Sequence, residues 1–289
     1  MSDEQRIENS VALIGIGLLG TAVAERLLRA GYHVLGYDES ADAMDAFAAL
    51  GGQASPQLLD PPLAAPTIML CLPNSDIVKQ VAADIMPNLK PGTVVIDTTT
   101  GHPEVTRNLA TQLAEREVAL VDTSVLGSSE VTRRGEAVLM VGGSSDAVCE
   151  IRKVLEAISN TIYHLGPVGN GQQMKLVANL VLGLNRAVLA EGLHFAKTFN
   201  LQPNVVLDVL KSGAAYSRVM DTKGSRMVER EFAPEARLSQ HLKDVNLMLE
   251  HAKEAQTTLP LSQVHQSLLK KVEAAGHGHL DNSAVIQAW

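Results

Sequence analysis

Residues 11–38 read VALIGIGLLGTAVAERLLRAGYHVLGYD, and this stretch restricts the fold more than any other. An apolar run leads through Gly15, Gly17 and Gly20 into the helix-forming TAVAERLLRA, which leads into a second apolar run, HVLGYD. Strand, glycine turn, helix and strand in that order make a βαβ unit, whose strands lie parallel because a helical crossover joins them. Within Gly15-Ile16-Gly17-Leu18-Leu19-Gly20, Gly15 is expected to allow the tight turn, Gly17 the close approach of a pyrophosphate, and Gly20 the packing of helix on strand. The helix start offers N–H donors and a positive dipole end to the phosphates. Asp38 ends the second strand, eighteen residues past Gly20. A carboxylate there accepts hydrogen bonds from the ribose hydroxyls of a dinucleotide and repels a 2′-phosphate. Glu39 adds to the repulsion and no arginine follows at once, so NAD is expected over NADP.

The same rhythm continues. Short apolar runs (TIMLCL, TVVIDT, VALVDT, AVLMVGG, NTIYHL) alternate with amphipathic stretches as far as about Tyr163. That pattern predicts an α/β, Rossmann-type doubly wound sheet, mostly parallel and covered on both faces. After Gly166-Pro167 only helical periodicity remains. One long helix is expected over about 168–199, then others near 203–212, 216–230, 238–256 and 261–275. Pro203 suits a first helical turn and Pro260 a break between helices. The expected organisation is a dinucleotide-binding domain, 1–165, followed by an all-α C-terminal domain, 166–289, that begins with a long linking helix.

The bulk properties narrow the function classes. The chain has 289 residues, 46% of them hydrophobic and 19% charged, which suffices for a packed core. A net charge of −8 argues against a nucleic-acid or membrane-binding surface. Cys71 and Cys149 are the only cysteines and stand in no metal-ligand spacing, as expected in a reducing compartment. The start, MSDEQRIENS, is acidic and lacks the apolar core of a signal peptide. Lys175, Asn179, Asn185, Arg186 and Glu191 interrupt the most apolar long stretch, 174–193, and argue against a membrane span. A cytoplasmic protein is expected.

Lys175 poses the chemical question. In GQQMKLVANLVLGLN, residues 171–185, it is set among Met174, Leu176, Val177, Leu180 and Val181, with Asn179 one turn later. Buried ammonium groups are costly without compensation. Positions four apart share a helix face, so Lys175 and Asn179 are expected to point the same way. Hydride transfer to a carbonyl leaves negative charge on oxygen, which a protonated lysine stabilises and neutralises. In the reverse direction a neutral lysine takes the hydroxyl proton, and partial burial favours that form. Asn179 is expected to orient the substrate hydroxyl or the ammonium. A lysine on an amphipathic helix is ordinarily a solvated side chain; the chemical reading is selected by the ordered motifs and the family resemblance that follow.

Taken together, these motifs resemble the β-hydroxyacid dehydrogenase family, which includes 3-hydroxyisobutyrate and tartronate-semialdehyde dehydrogenases and is related to 6-phosphogluconate dehydrogenase. The resemblance runs from about Val11 to Ala288, with the motifs in order. It implies cofactor contacts from Gly15–Gly20, where Leu19 replaces the usual methionine, and from Leu72, Pro73 and Asn74. The family's D-x-S-T-x-x-P segment is similar to Asp97-Thr98-Thr99-Thr100-Gly101-His102-Pro103, which puts Thr100 near the nicotinamide. Its G-x-x-x-K-x-x-N-N helix corresponds to Gly171 through Asn179, with Ala178 replacing the first asparagine, and implies Lys175 and Asn179 as catalytic and substrate-binding residues. The late K-D pair is Lys243-Asp244, from which Lys243 is implied to reach the cofactor. The substrate loop departs from the family. D-A-P-V-S-G-G has become Asp122-Thr123-Ser124-Val125-Leu126-Gly127-Ser128, so Leu126 stands where a serine usually meets the substrate carboxylate, and Ser128 and Ser129 offer hydroxyls instead.

The resemblance implies an NAD(P)-dependent dehydrogenase or reductase acting on a small anionic hydroxy acid or aldehyde, as a homodimer or homotetramer. Two alternatives stand beside it: a catalytically inactive dinucleotide-binding regulatory protein, and an imine reductase, a relative that typically lacks the lysine. No metal site is expected: His33, His194, His241, His251 and His265 are scattered, no H-E-x-x-H occurs, and HGH at 277–279 reads as a turn rather than as metal ligands at His277 and His279. Arg133-Arg134, just past the substrate loop, are candidates to pair with an anionic substrate or simply to be solvated.

Overall fold

The computed structural model describes residues 9–289, so most of the acidic start lies outside the described residues. Contacts group the chain into two compact units, Met1–Lys175 and Leu176–Trp289.

The first unit is built on an eight-stranded sheet: β1 (Ser10–Ile14), β2 (His33–Tyr37), β3 (Gln53–Ala54), β4 (Thr67–Leu70), β5 (Val94–Asp97), β6 (Ala119–Leu126), β7 (Val138–Gly142) and β8 (Thr161–His164). The strand order is β3-β2-β1-β4-β5-β6-β7-β8. Every neighbouring pair is parallel except β6 and β7. The order reverses between β1 and β4, and in open α/β sheets ligands bind outside the carboxyl ends of the strands at such a switch point. The helices are α1 (Leu18–Arg29), α2 (Ala41–Ala49), α3 (Asp60–Ala64), α4 (Ser75–Ile85), α5 (Pro103–Ala114), α6 (Ser129–Arg133), α7 (Ser145–Glu150) and α8 (Arg152–Ile158). Alternate strand residues feed two cores. Val11, Leu13, Ile96 and Val121 pack with Val23 and Leu27 of α1, while Ala12, Ile14, Ile68 and Leu70 pack with Val78 and Ala82 of α4. Burial on both faces is why these strands read as continuous apolar runs. β3 is only two residues long and both are exposed, so it leaves no pattern to read.

α9 (Asn170–Lys197) begins in the first unit and continues in the second. The second unit adds α10 (Pro203–Ser212), α11 (Arg218–Glu229), α12 (Leu238–Glu254) and α13 (Pro260–Val272), then a single π turn and a 3₁₀ segment, Asn282–Ala288. Pro203 and Pro260 occupy first helical turns. Leu189, Leu193, Leu238, Leu242, Leu269 and Val285 centre its core. Among the described residues α9 is the one helix long and apolar enough, by length and composition, to cross a membrane. Its interrupting polar residues therefore do not exclude a span by composition, a correction to the sequence reading. In its most apolar window 44% of residues are buried within the protein, and core helices meet the same criterion.

Candidate active site

The glycine turn follows β1 at the switch point. Gly15 has φ +92°, and its N–H donates to the Tyr37 carbonyl at 2.9 Å. A Cβ there would collide with the Cys71 carbonyl oxygen, and one at Gly20 with the Gly15 carbonyl oxygen. Gly17 has no neighbour within 4 Å of its would-be Cβ. It is the N-cap of α1, with no side-chain cap and no acidic residue in the first turn. A helix start left open in this way suits a phosphate group. Leu18 is exposed there and Leu19 half-buried. The Ile16 N–H donates to Asp38 Oδ2 at 2.6 Å, and the Ser40 N–H to Asp38 Oδ1 at 2.9 Å. These bonds fix the carboxylate at the ends of β1 and β2, and a carboxylate has about four acceptor positions, so it can still accept more.

The loops after β4 and β5 lie beside this turn. The Leu72 N–H donates to Thr99 Oγ1 at 3.2 Å, and the Thr99 N–H to Asp97 Oδ1 at 2.9 Å. Thr98 Oγ1 donates to the Leu70 carbonyl at 2.8 Å. Between these anchors and α5 sits the half-buried Thr100. Pro73 is exposed. Asn74 has a structural task that sequence reading did not give it: its Oδ1 accepts from the Asp76 and Ile77 N–H groups at 3.0 Å each, capping α4. Only its amino end remains to meet a ligand. Burial pushes the Cys71 thiol up to about 12, so it stays protonated and unreactive.

At the end of β6 the chain positions Lys175. Asp122 accepts from the Gly169 N–H at 2.7 Å and the Gln172 N–H at 2.8 Å, closing the start of α9 with a carboxylate. Gly171 is pressed against the strands, since a Cβ there would collide with the Met140 carbonyl oxygen and crowd Asp122. One turn on, Lys175 Nζ donates to the Val125 carbonyl at 2.6 Å. This contact orients the ammonium at the end of β6. Leu126 is half-buried, and Gly127, with φ +152°, turns the chain. Ser128 was expected to present a hydroxyl to substrate. Its oxygen caps α6, accepting from the Val131 N–H at 3.3 Å, which leaves the hydroxyl proton and one lone pair. Arg133 and Arg134 face protein carboxylates: Arg133 lies 2.8 Å from Glu25, and Arg134 lies 3.0 Å from Glu136 and 3.5 Å from Glu130. Each thus has an ion-pair partner on the protein's own surface.

In the second unit Asn179 is 7% exposed, and its Nδ2 donates to Asp244 Oδ2 at 3.0 Å. With its amino end engaged, Asn179 presents an oxygen acceptor. Lys243 Nζ lies 3.6 Å from Asp244 Oδ1. Lys175 and Asn179 are four residues apart in α9 and so share a face. Asp122, Gln172 and Asp244 lie within the motifs quoted above, yet the sequence marks no role for their side chains. Their signal was faint, because an acid or amide inside an apolar motif reads equally as a turn or a helix surface. Among the described residues no three His, Cys, Asp or Glu side chains gather as a metal site.

Comparison with known proteins agrees along the whole described chain. Residues 10–166 match the NAD binding domain of 6-phosphogluconate dehydrogenase, and residues 169–289 match the NAD-binding domain of NADP-dependent 3-hydroxyisobutyrate dehydrogenase. The chain is 31% identical to 2-(hydroxymethyl)glutarate dehydrogenase of Eubacterium barkeri, over 96% of this chain and 94% of that protein. It is 30% identical to 2-hydroxy-3-oxopropionate reductase of Escherichia coli K12, over 96% of each. The crystal structure of 3-hydroxyisobutyrate dehydrogenase from Salmonella typhimurium superposes with a TM-score of 0.89 at 25% identity, covering 97% of this chain and 99% of that one. The two family models match in order along nearly the whole chain, and the chain belongs to the β-hydroxyacid dehydrogenase family.

Proposed function

We infer that this chain is an NAD(P)-dependent oxidoreductase interconverting a small β-hydroxy acid and its semialdehyde or keto form, with Lys175 as proton donor and acceptor. The observation that carries the assignment to Lys175 is its ammonium, anchored on the Val125 carbonyl rather than extended into water. Gly15, Ile16, Gly17, Leu18, Leu19 and Gly20 hold the cofactor phosphates in this reading, Asp38 the adenosine ribose, and Leu72, Pro73, Asn74, Thr100 and Lys243 the remainder. The open N-terminus of α1 and the clearance at Gly17 support the fit. When bound, the nicotinamide supplies or takes the hydride.

The protein's share is orientation and proton handling. In reduction Lys175 hydrogen-bonds the substrate carbonyl oxygen, stabilises the developing alkoxide and delivers a proton to it. In oxidation it takes the hydroxyl proton. Asn179 accepts from that hydroxyl or from the ammonium, through the oxygen that Asp244 leaves available. Leu126, Gly127 and the Ser128 hydroxyl line the substrate. Leu126 in place of a hydroxyl favours a substrate with an apolar carbon where the usual serine would meet an oxygen. NAD is favoured over NADP, because Asp38, held by Ile16 and Ser40, sets a fixed negative charge where a 2′-phosphate would lie. The dinucleotide-binding part is assigned to 1–165 and the helical part to 166–289. The working form is a homodimer or homotetramer. Two free cysteines suit a cytoplasmic setting.

The test is a hydroxy-acid panel assayed by NADH absorbance with both cofactors. Turnover with a higher kcat/KM for NAD than NADP is expected. Lys175→Ala should lower kcat by roughly 10²–10⁴-fold, the usual worth of acid–base assistance, while NADH binding by fluorescence stays near wild type. Wild-type turnover in Lys175→Ala removes the assignment.

A further inference from the structure

One side chain ties the start of α9 to the loop after β5. Asp97 and Asp122 lie opposite each other in the parallel register of β5 and β6, at 1% and 0% exposure. Among the described residues neither makes an ion pair. Neutral donors hold both instead. Asp122 takes the backbone N–H groups that open α9, where the helix dipole favours an anion. Asp97 takes the Thr99 N–H at 2.9 Å and Gln172 Nε2 at 3.2 Å. The same Nε2 lies 3.3 Å from the Thr99 carbonyl oxygen. Gln172 therefore bonds Asp122 through its backbone, and Asp97 and Thr99 through its side chain.

The opposite end of that amide is the telling detail. Gln172 is 2% exposed, and its Oε1 is buried with no hydrogen-bond partner among the described residues. Buried acceptors left unmade are costly, and an apolar side chain of the same length would avoid the cost. Core filling therefore does not explain a glutamine here. Its amino end does, because that end alone reaches both the carboxylate of β5 and the loop leading to Thr100. Burial pushes Asp97 up to about 7, so the donated bond also helps to keep its carboxylate charged.

We propose that Gln172 is a positioning residue that locks the Thr99–Thr100 loop to the first turn of the lysine helix, setting Thr100 and Lys175 in one frame. Lys175 lies three residues further along α9, and its ammonium rests on Val125, three residues past Asp122 in β6. The assignment rests on the proposed roles given above, Lys175 in proton transfer and Thr100 in cofactor binding.

Two variants test it. Gln172→Met keeps the length and the backbone N–H on Asp122 but removes the carboxamide. The expected result is a kcat lowered by roughly 10–100-fold, in line with small misplacements of reacting groups. Amide hydrogen exchange should quicken in residues 97–101 but not in 11–20. Gln172→Glu turns the donor into an acceptor beside two carboxylates. Its kcat relative to wild type should recover as pH falls and the new carboxyl gains a proton to donate, which a merely space-filling role would not produce. Wild-type kcat in Gln172→Met, unchanged exchange in 97–101, or no acid recovery in Gln172→Glu overturns the proposal. If Gln172→Met fails to fold, the acid recovery of Gln172→Glu decides. Failure of the underlying reading is separable: a silent Lys175→Ala removes the catalytic role, while the loop tie still registers in hydrogen exchange.

Discussion

At the scale of single residues, the sequence was clearest where backbone geometry admits one amino acid. Gly15 and Gly20 could be placed because any Cβ would strike a carbonyl oxygen, and that prohibition leaves a spacing in the chain. Asn74 and Ser128 could not be read so far. Helix capping and ligand binding call for the same short polar side chains, and both residues cap helices. His265 is one of several histidines whose sequence surroundings give no sign of burial. It is buried, its ring lies 5.2 Å from that of His241, and its Nε2 has no hydrogen-bond partner among the described residues. Burial, with the Arg186 charge as a lesser cause, pushes it down to about 4. The unfolded chain then binds a proton that the folded chain refuses between about pH 6.5 and 4. Stability is intact above that window and falls on acidification, by at most about 1.4 kcal/mol per pH unit. Asp97, pushed up to about 7, acts in the opposite sense, losing stability as pH rises through the same range. A difference between wild type and His265→Leu cancels the Asp97 contribution. Urea unfolding at several pH values should show a shallower acid loss in the variant, and parallel curves would refute the buried neutral imidazole.

At the scale of elements, helix existence was legible and pairing direction was not. Proline at first turns marked α10 and α13. The antiparallel pairing of β6 and β7 follows from their connection, 127–137, which holds only the five-residue α6 and is too short for a parallel crossover. α9 carries the sharpest conflict between sequence and packing. Arg186 is 4% exposed, yet it donates no hydrogen bond and makes no ion pair among the described residues. Burial lowers it to about 10, against the weaker raising influence of Asp281 and Asp244. Both carboxylates have other partners: Lys223 holds Asp281 at 2.9 Å, and Asn179 holds Asp244. A buried charge without close partners stabilises little, and apolar replacement of such groups is often neutral or stabilising. Arg186→Leu is therefore expected to match or exceed the wild-type Tm. A loss beyond about 2 kcal/mol in denaturant unfolding would mean that the guanidinium neutralises the two acids through its field.

At the scale of the whole molecule, the decisive surface is one the sequence could not assign. An apolar residue on a helix reads as core whether it is covered by its own chain or by another. Met174, Val177, Val181, Val188 and Phe195 recur along α9 at spacings of three, four and seven, which keeps them on one line of the helix. All five are exposed, Val188 at 67%, and Phe199 continues the line and meets the Phe195 ring edge-on. A stripe this long exceeds what a lone protein usually leaves in water, and a self-complementary helical face is the usual basis of a two-fold pair. Such heptad-like spacing is also what lets one helix seat knobs between the residues of another copy. Light scattering after size exclusion should give an integral multiple, two or four, of the 30.8 kDa chain. Val188→Asp with Phe195→Asp places two charges on the stripe and should yield a monomer with an unchanged helical circular dichroism signal. Neither residue belongs to the proposed cofactor or substrate set, so NADH binding by the monomer should persist if assembly only covers the stripe. A wild-type monomer, or an oligomer indifferent to both charges, would show that this face is not where copies meet.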